Sequence, residues 1–144
     1  MTRSVSSVNS PREPWDKNRT GVHAALDIEV VEASPSKVIA RVPVGPKVHQ
    51  PHGILHGGVS ALLAESAASI GGSLSAGEGK TVVGIELNAS HLRGISSGVL
   101  TATATPVRTG RRVQVWAIDL TDGEGRMICV ARCTLAVIDQ PTAD

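Results

Sequence analysis

Phenylalanine and tyrosine are missing from this chain of 144 residues, and Trp15 and Trp116 are its only aromatic residues. The core must therefore be aliphatic, and platforms on which nucleic-acid bases could stack are absent. An excess of one charge is missing too. Fourteen basic and 13 acidic residues leave a net +1 and a pI near 7.9, which gives no general pull toward nucleic acid or a membrane surface. No apolar run approaches the ~20 residues of a membrane helix. Arg3 is followed by no apolar stretch, so the start does not read as a signal peptide. Cysteine is limited to Cys129 and Cys133, on one expected strand. Four strand residues span roughly 13 Å, too far for an intrachain disulfide. The pair reads as reduced, buried thiols in a cytoplasmic protein, with no helix start or basic neighbour to activate them.

What is present suffices for one domain: 41% of the residues are hydrophobic, enough for a core at this length. Residues 1–20 are polar and read as a loose tail, with a short helix around Trp15. The domain is expected over 21–139, with a second tail over 140–144. Asp27-Ile28-Glu29-Val30-Val31 and Lys37–Val42 read as strands joined by the turn residues Ala33-Ser34-Pro35-Ser36. Pro43, Pro46 and Pro51 break regular structure before Gly53. A helix follows from about Gly57 to Leu74, so rich in Ala, Ser and Gly that it must pack closely on several sides. Gly77-Glu78-Gly79 ends it. Four strands are expected over Thr81–His91, Val99–Val107, Arg112–Leu120 and Met127–Ile138. The order β-β-α-β-β-β-β with short connections predicts one twisted antiparallel sheet of five to six strands over one long helix, an α+β fold.

The chemistry concentrates at His56-Gly57-Gly58 and at Glu65. A helix start offers unpaired N–H groups and a partial positive charge, which a developing oxyanion needs. A carboxylate in an apolar helix asks for a reason. Glu65 would serve as nucleophile or as base for a water; the competing reading is an exposed carboxylate in an ion pair. Ser69, one turn on, could orient it or simply pack the helix. Gly58 and Ala61 leave room for substrate on that stripe. Gly57 and Glu65 lie eight residues apart, roughly 12 Å along the axis. Reacting atoms must come within about 3.5 Å, so one chain cannot apply both groups to one bond. Two antiparallel copies across a twofold axis could do so twice.

Gln50-Pro51-His52-Gly53-Ile54-Leu55-His56-Gly57-Gly58, Leu63-Ala64-Glu65 and Val83–His91 resemble the hotdog-fold acyl-CoA thioesterases. The similarity is greatest to the glutamate-dependent branch of arylacyl, 1,4-dihydroxy-2-naphthoyl-CoA and enterobactin-proofreading enzymes, and spans about residues 22–138. It implies a helix wrapped by an antiparallel sheet, and dimers with a continuous sheet that usually pair into homotetramers. By position, Glu65 matches the catalytic carboxylate and Gly57 the oxyanion N–H. Gln50 matches the glutamine that positions water or thioester. His56 matches the histidine that contacts the thioester oxygen or steadies the helix start, and Ser69 the hydroxyl one turn after the acid. Many relatives carry Asp in place of Glu65, which leaves open direct attack or attack through water. His52 replaces a frequent aromatic and makes the pocket rim more polar. For a phosphorylated carrier, similarity points to Arg93 and to Gly110-Arg111-Arg112, with Arg108 beside them; arginine suits phosphate by its fork geometry. The competing reading is solvated hairpin charge. His91 is expected to line the acyl pocket of the partner subunit or to act as a structural donor.

Other readings fare worse. His49, His52 and His56 lack a Cys, Asp or Glu co-ligand nearby, and no metal is expected. Gly79-Lys80-Thr81 resembles the end of a P-loop, but Leu74 falls where the first glycine belongs. Gly71-Gly72-Ser73-Leu74-Ser75 only approaches a nucleophile elbow. The expectation is hydrolysis of an aromatic acyl-CoA to acid and CoA without a cofactor. The alternatives are editing of an acyl or aryl carrier protein, a non-catalytic acyl-CoA-binding module, and a dehydratase, against which the missing Asp/His signature argues.

Overall fold

A computed structural model describes residues 20–142. The helix expected around Trp15 lies outside the described residues. Six strands form one antiparallel sheet: β1 Glu29–Ser34, β2 Lys37–Pro43, β3 Lys80–His91, β4 Val99–Thr109, β5 Val113–Thr121 and β6 Met127–Asp139. Among the described residues two helices accompany them, α1 Gly21–Ala25 and α2 Gly57–Ser75, with a 3-10 turn at Pro46–Val48. The strand order is β1-β2-β4-β5-β6-β3. The long helix carries the chain from β2 across the sheet to β3 at the far edge, and β4 then returns to pair with β2.

Period-two alternation places the core on one face of the sheet. Val38, Ala40 and Val42 of β2, Leu100, Ala102 and Ala104 of β4, and Trp116, Ile118 and Leu120 of β5 are all buried there, with Cys129, Cys133 and Leu135 of β6. Against them α2 presents Leu63, Ala64, Ala67, Ala68, Gly71 and Gly72. The two glycines have a packing reason. A Cβ at position 71 would collide with the Trp116 ring, and one at position 72 would stand 2.5 Å from Leu135 Cδ1. Close approach also satisfies the buried polar atoms. Gln114 Nε2 donates to the Gly72 carbonyl at 3.2 Å, and Gln114 Oε1 accepts from Trp116 Nε1 at 2.8 Å. The segment that resembles a nucleophile elbow is thus a helix–sheet contact. Cys129 and Cys133 are free and buried on one strand, as their spacing requires.

Three local expectations are corrected. β1 starts at Glu29 rather than Asp27, because Asp27 takes φ 56° and Ile28 turns into the core. Ala33 and Ser34 belong to β1, so the turn narrows to Pro35-Ser36, where Ser34 Oγ accepts the Lys37 N–H at 3.1 Å. β3 departs from alternation: a bulge between Gly84 and Glu86 turns Glu86 outward and Leu87 inward. Bulges are common at sheet edges, which need protection from unwanted pairing. β3 is a 12-residue edge strand that still shows Val83 at 44% and Ile85 at 59% exposure.

Candidate active site

The loop before α2 is fixed by its own backbone. His49 and Leu55 form an isolated antiparallel bridge, Gln50 N–H donates to the Ile54 carbonyl at 2.8 Å, and Gly53 turns the chain at φ +78°. The side-chain carbonyl of Gln50 accepts the His52 N–H, which leaves the Gln50 amide nitrogen free to donate. His49 Nε2 bonds the Ser96 carbonyl at 2.7 Å.

His56 is the N-cap of α2, and its Nδ1 accepts the Gly58 N–H at 2.8 Å. That bond places the ring proton on Nε2. The Val59 N–H goes to the His56 carbonyl at 3.0 Å, and the His56 N–H to Val48 at 2.9 Å. Among the described residues the Gly57 N–H at this helix start has no acceptor. His91 stacks directly over it; a Cβ at position 57 would stand 2.9 Å from His91 Nε2. Gln50, Gly57, Ser60, His91 and Arg93 line one hollow of about 380 Å³, walled by Ile54, Leu55, Leu92 and Ile128. His91 thus shares a hollow with Gly57 of its own chain.

Glu65 is elsewhere. Its carboxylate is exposed and rests on the backbone of Gly84, where an added Cβ would collide with Oε1. Gly84 and His91 are seven residues apart on β3, roughly 20 Å at strand rise. The acid and the free N–H are thus held apart on one protomer, about two turns of α2 from each other. Ser69 is half-buried one turn beyond Glu65, and Gly58 is exposed at the helix start. Burial, with Glu65 and then Glu86 nearby, pushes the Cys133 thiol up to about 11, so this cysteine stays protonated.

The arginines divide between two places. Arg93 rims the Gly57 hollow, while Arg108, Gly110, Arg111 and Arg112 line a separate hollow of about 610 Å³ at the β4–β5 turn. Val113 pairs with Ala136, and Ala136 with Val83, so this second group sits at the Glu65 end of the sheet. Sequence reasoning missed Ser60, which reads as one more small helix residue. At the β5–β6 turn Asp122 accepts the N–H groups of Glu124 and Arg126, and Arg126 Nε donates to it at 2.7 Å.

A sheet wrapped on a helix with a capped, glycine-rich start is shared with hydrolases of thioesters. A crystal structure of a thioesterase from Haemophilus influenzae superimposes with a TM-score of 0.83 and 43% identity, covering 90% of this chain and 93% of that one. A 1,4-dihydroxy-2-naphthoyl-CoA hydrolase of Listeria monocytogenes is 44% identical over 81% of this chain and 95% of its own. The proofreading thioesterase EntH of Cronobacter turicensis is 41% identical over 78% and 82%. The profile of the Thioesterase superfamily matches residues 52–129. The chain belongs to that superfamily; it has the hotdog fold and is a thioester hydrolase.

Proposed function

We propose that the domain over residues 21–139 hydrolyses an acyl-CoA thioester, with an aromatic acyl group preferred, at sites completed by two protomers. The observation that carries this is the separation of Glu65 from the unspent Gly57 N–H within one chain. The long, exposed β3 edge supplies a means of joining them. Antiparallel pairing of two β3 strands about a twofold near Leu87 and Asn88 brings Gly84 of one copy toward the partner's His91. Glu65 then reaches the partner's Gly57 hollow. Backbone pairing along this edge also removes the liability of an open strand.

In that arrangement the thioester carbonyl oxygen accepts the Gly57 N–H. His56 Nε2–H and the Gln50 amide stand by as further donors. Glu65 adds to the carbonyl carbon, expelling the thiolate and leaving an anhydride that water then cleaves to free the carboxylate, or it takes a proton from a water that adds. Either way the C–S bond breaks, oxygen from water ends on the acyl carbon, and CoA leaves as the thiol with the proton. Ser69 orients the carboxylate. The β4–β5 arginines hold phosphate from the side of the protomer that supplies the acid, and Arg93 from the other. Pairs of dimers form the homotetramer, and the enzyme works in the cytoplasm.

Glu65→Gln tests the reading. Loss of a positioned base costs about 10²–10⁴-fold in kcat, with oligomer size and thioester binding retained. A Glu65→Gln enzyme that turns over like wild type overturns it and favours an acyl-CoA-binding module. Similarity to a proofreading thioesterase supports a second substrate class, the same acyl group on a carrier protein. Matched CoA and carrier-protein thioesters, compared by kcat/KM, decide between the two.

A further inference from the structure

Ser60 has no role in the chemistry above, yet its surroundings are unusual for a serine. It is 2% exposed, lies on α2 one turn beyond Gly57, and lines the hollow under His91. Its hydroxyl makes no hydrogen bond within the described protein. Among the described residues no fully sealed side-chain polar atom lacks a partner, so the Ser60 hydroxyl keeps access to the hollow. Packing does not ask for serine here. An unpaired hydroxyl among aliphatic side chains is unfavourable relative to a methyl group, and alanine is the better helix former.

The hollow around it has the make-up of a ligand site: apolar walls of Ile54, Leu55, Leu92 and Ile128, with a few convergent polar groups. Ser60 lies about 4.5 Å along the helix axis from Gly57. A carbonyl held at the Gly57 N–H would point its sulfur and carrier toward the rim, where Arg93 stands. The acyl group would then run inward past Ser60.

We propose that Ser60 is a specificity-determining residue: its hydroxyl hydrogen-bonds a hydroxyl substituent on the acyl group held in this hollow. The proposal rests on the thioester site described above and names the kind of acyl group that site selects. A site built to hydrogen-bond a substrate hydroxyl discriminates strongly against the analogue lacking it, because its own polar group is left unpaired.

The test uses the full chain, benzoyl-CoA, and its 2-, 3- and 4-hydroxy derivatives. Wild type should prefer at least one hydroxylated thioester over benzoyl-CoA by about tenfold or more in kcat/KM. Ser60→Ala should remove most of that preference, lowering kcat/KM for the hydroxylated thioester far more than for benzoyl-CoA, with the melting temperature near wild type. A merely structural role would lower both substrates alike and leave their ratio unchanged. An unchanged ratio, or a wild type with no preference for any isomer, overturns the proposal. Glu65→Gln separates this failure from that of the site itself. A fully active Glu65→Gln enzyme whose hydroxyl preference still depends on Ser60 would remove the acid and keep Ser60. An inactive one beside an unaltered Ser60→Ala ratio would do the reverse.

Discussion

Gly84 offers a way to move the proposed acid without touching it. The carboxylate of Glu65 lies against the Gly84 backbone so closely that an added Cβ would collide with Oε1. In Gly84→Ala the carboxylate must retreat by more than about 1 Å to reach ordinary contact distance, and the far end of a glutamate can do so at small cost. The backbone does not object, since Gly84 is absent from the positive-φ glycines. Glycine within a strand costs about 0.5–1 kcal/mol relative to alanine, so the variant should fold as well as wild type or slightly better. Activity should respond very differently. A displacement near 1 Å from productive geometry can cost about 10²-fold. Gly84→Ala should therefore lower kcat by about two orders of magnitude with no loss in melting temperature. Steady-state hydrolysis of an acyl-CoA, read through release of free thiol, measures the first quantity, and a thermal melt the second. If the effect acts through the acid, Gly84→Ala added to Glu65→Ala should cost nothing more, because residues acting as a unit are not additive. Wild-type turnover in the single variant, or a further drop in the double, would refute the reasoning.

Two further outcomes follow from the packing. Gly71→Ala drives a methyl into the buried Trp116 ring, which Gln114 holds in place. Overpacking of about 1–3 kcal/mol outweighs the ~1 kcal/mol gained in helix propensity. A lower urea midpoint with unchanged slope is expected, and a variant as stable as wild type would contradict this account of the helix glycines. His23 of α1 bonds Ser66 Oγ at 2.9 Å, and burial holds its pKa below the usual 6.5. A folded-state value below the unfolded one means that docking of α1 is complete above about pH 6.5. Docking weakens as the pH falls through and below that value. A proton NMR titration of the His23 ring should give a midpoint under 6.5, with amide protection of Ile28 falling alongside; a midpoint at or above 6.5 counts against docking.

The sequence and the structure agree where one periodicity governs. β2 and β5 alternate cleanly, β4 and β6 do so apart from bulges at Val107 and Ile128, and the limits of all four differ from expectation by one or two residues. The helix start was legible because Pro51 and Gly53 interrupt the chain just before the run of helix formers from Ala61 to Ala68. Disagreement appears where contacts distant in sequence decide. α1 has five residues and no side-chain cap at Thr20, so no pattern announces it; the bond from His23 to Ser66, 43 residues away, holds it in place. The bulge in β3 depends on what Gly84 meets across the sheet and on the helix. Ser60 and Ser66 look alike on the helix, yet one faces a hollow and the other a histidine from another element. Arg93 and the β4–β5 arginines are similarly exposed charges in sequence, and only the strand order reveals that they sit at opposite ends.

That separation bears on why the proposed chemistry should use two copies. One protomer holds a donor in a hollow and an acid on an exposed flank, each fixed by its own neighbours. The donor depends on the His56 cap and the Val48 bond; the acid depends on a glycine at the strand bulge. Both are therefore set within one protomer, and the proposed pairing of β3 edges would have only to bring two finished halves into register. Among the described residues no acid lines the protomer's own hollow. Dilution below the dimer dissociation constant should then reduce specific activity in proportion to the dimer remaining, while α2 and its cap stay folded. Specific activity that stays constant as sedimentation shows the dimer dissociating would mean that one chain suffices, and the division of labour between Gly57 and Glu65 would have to be abandoned.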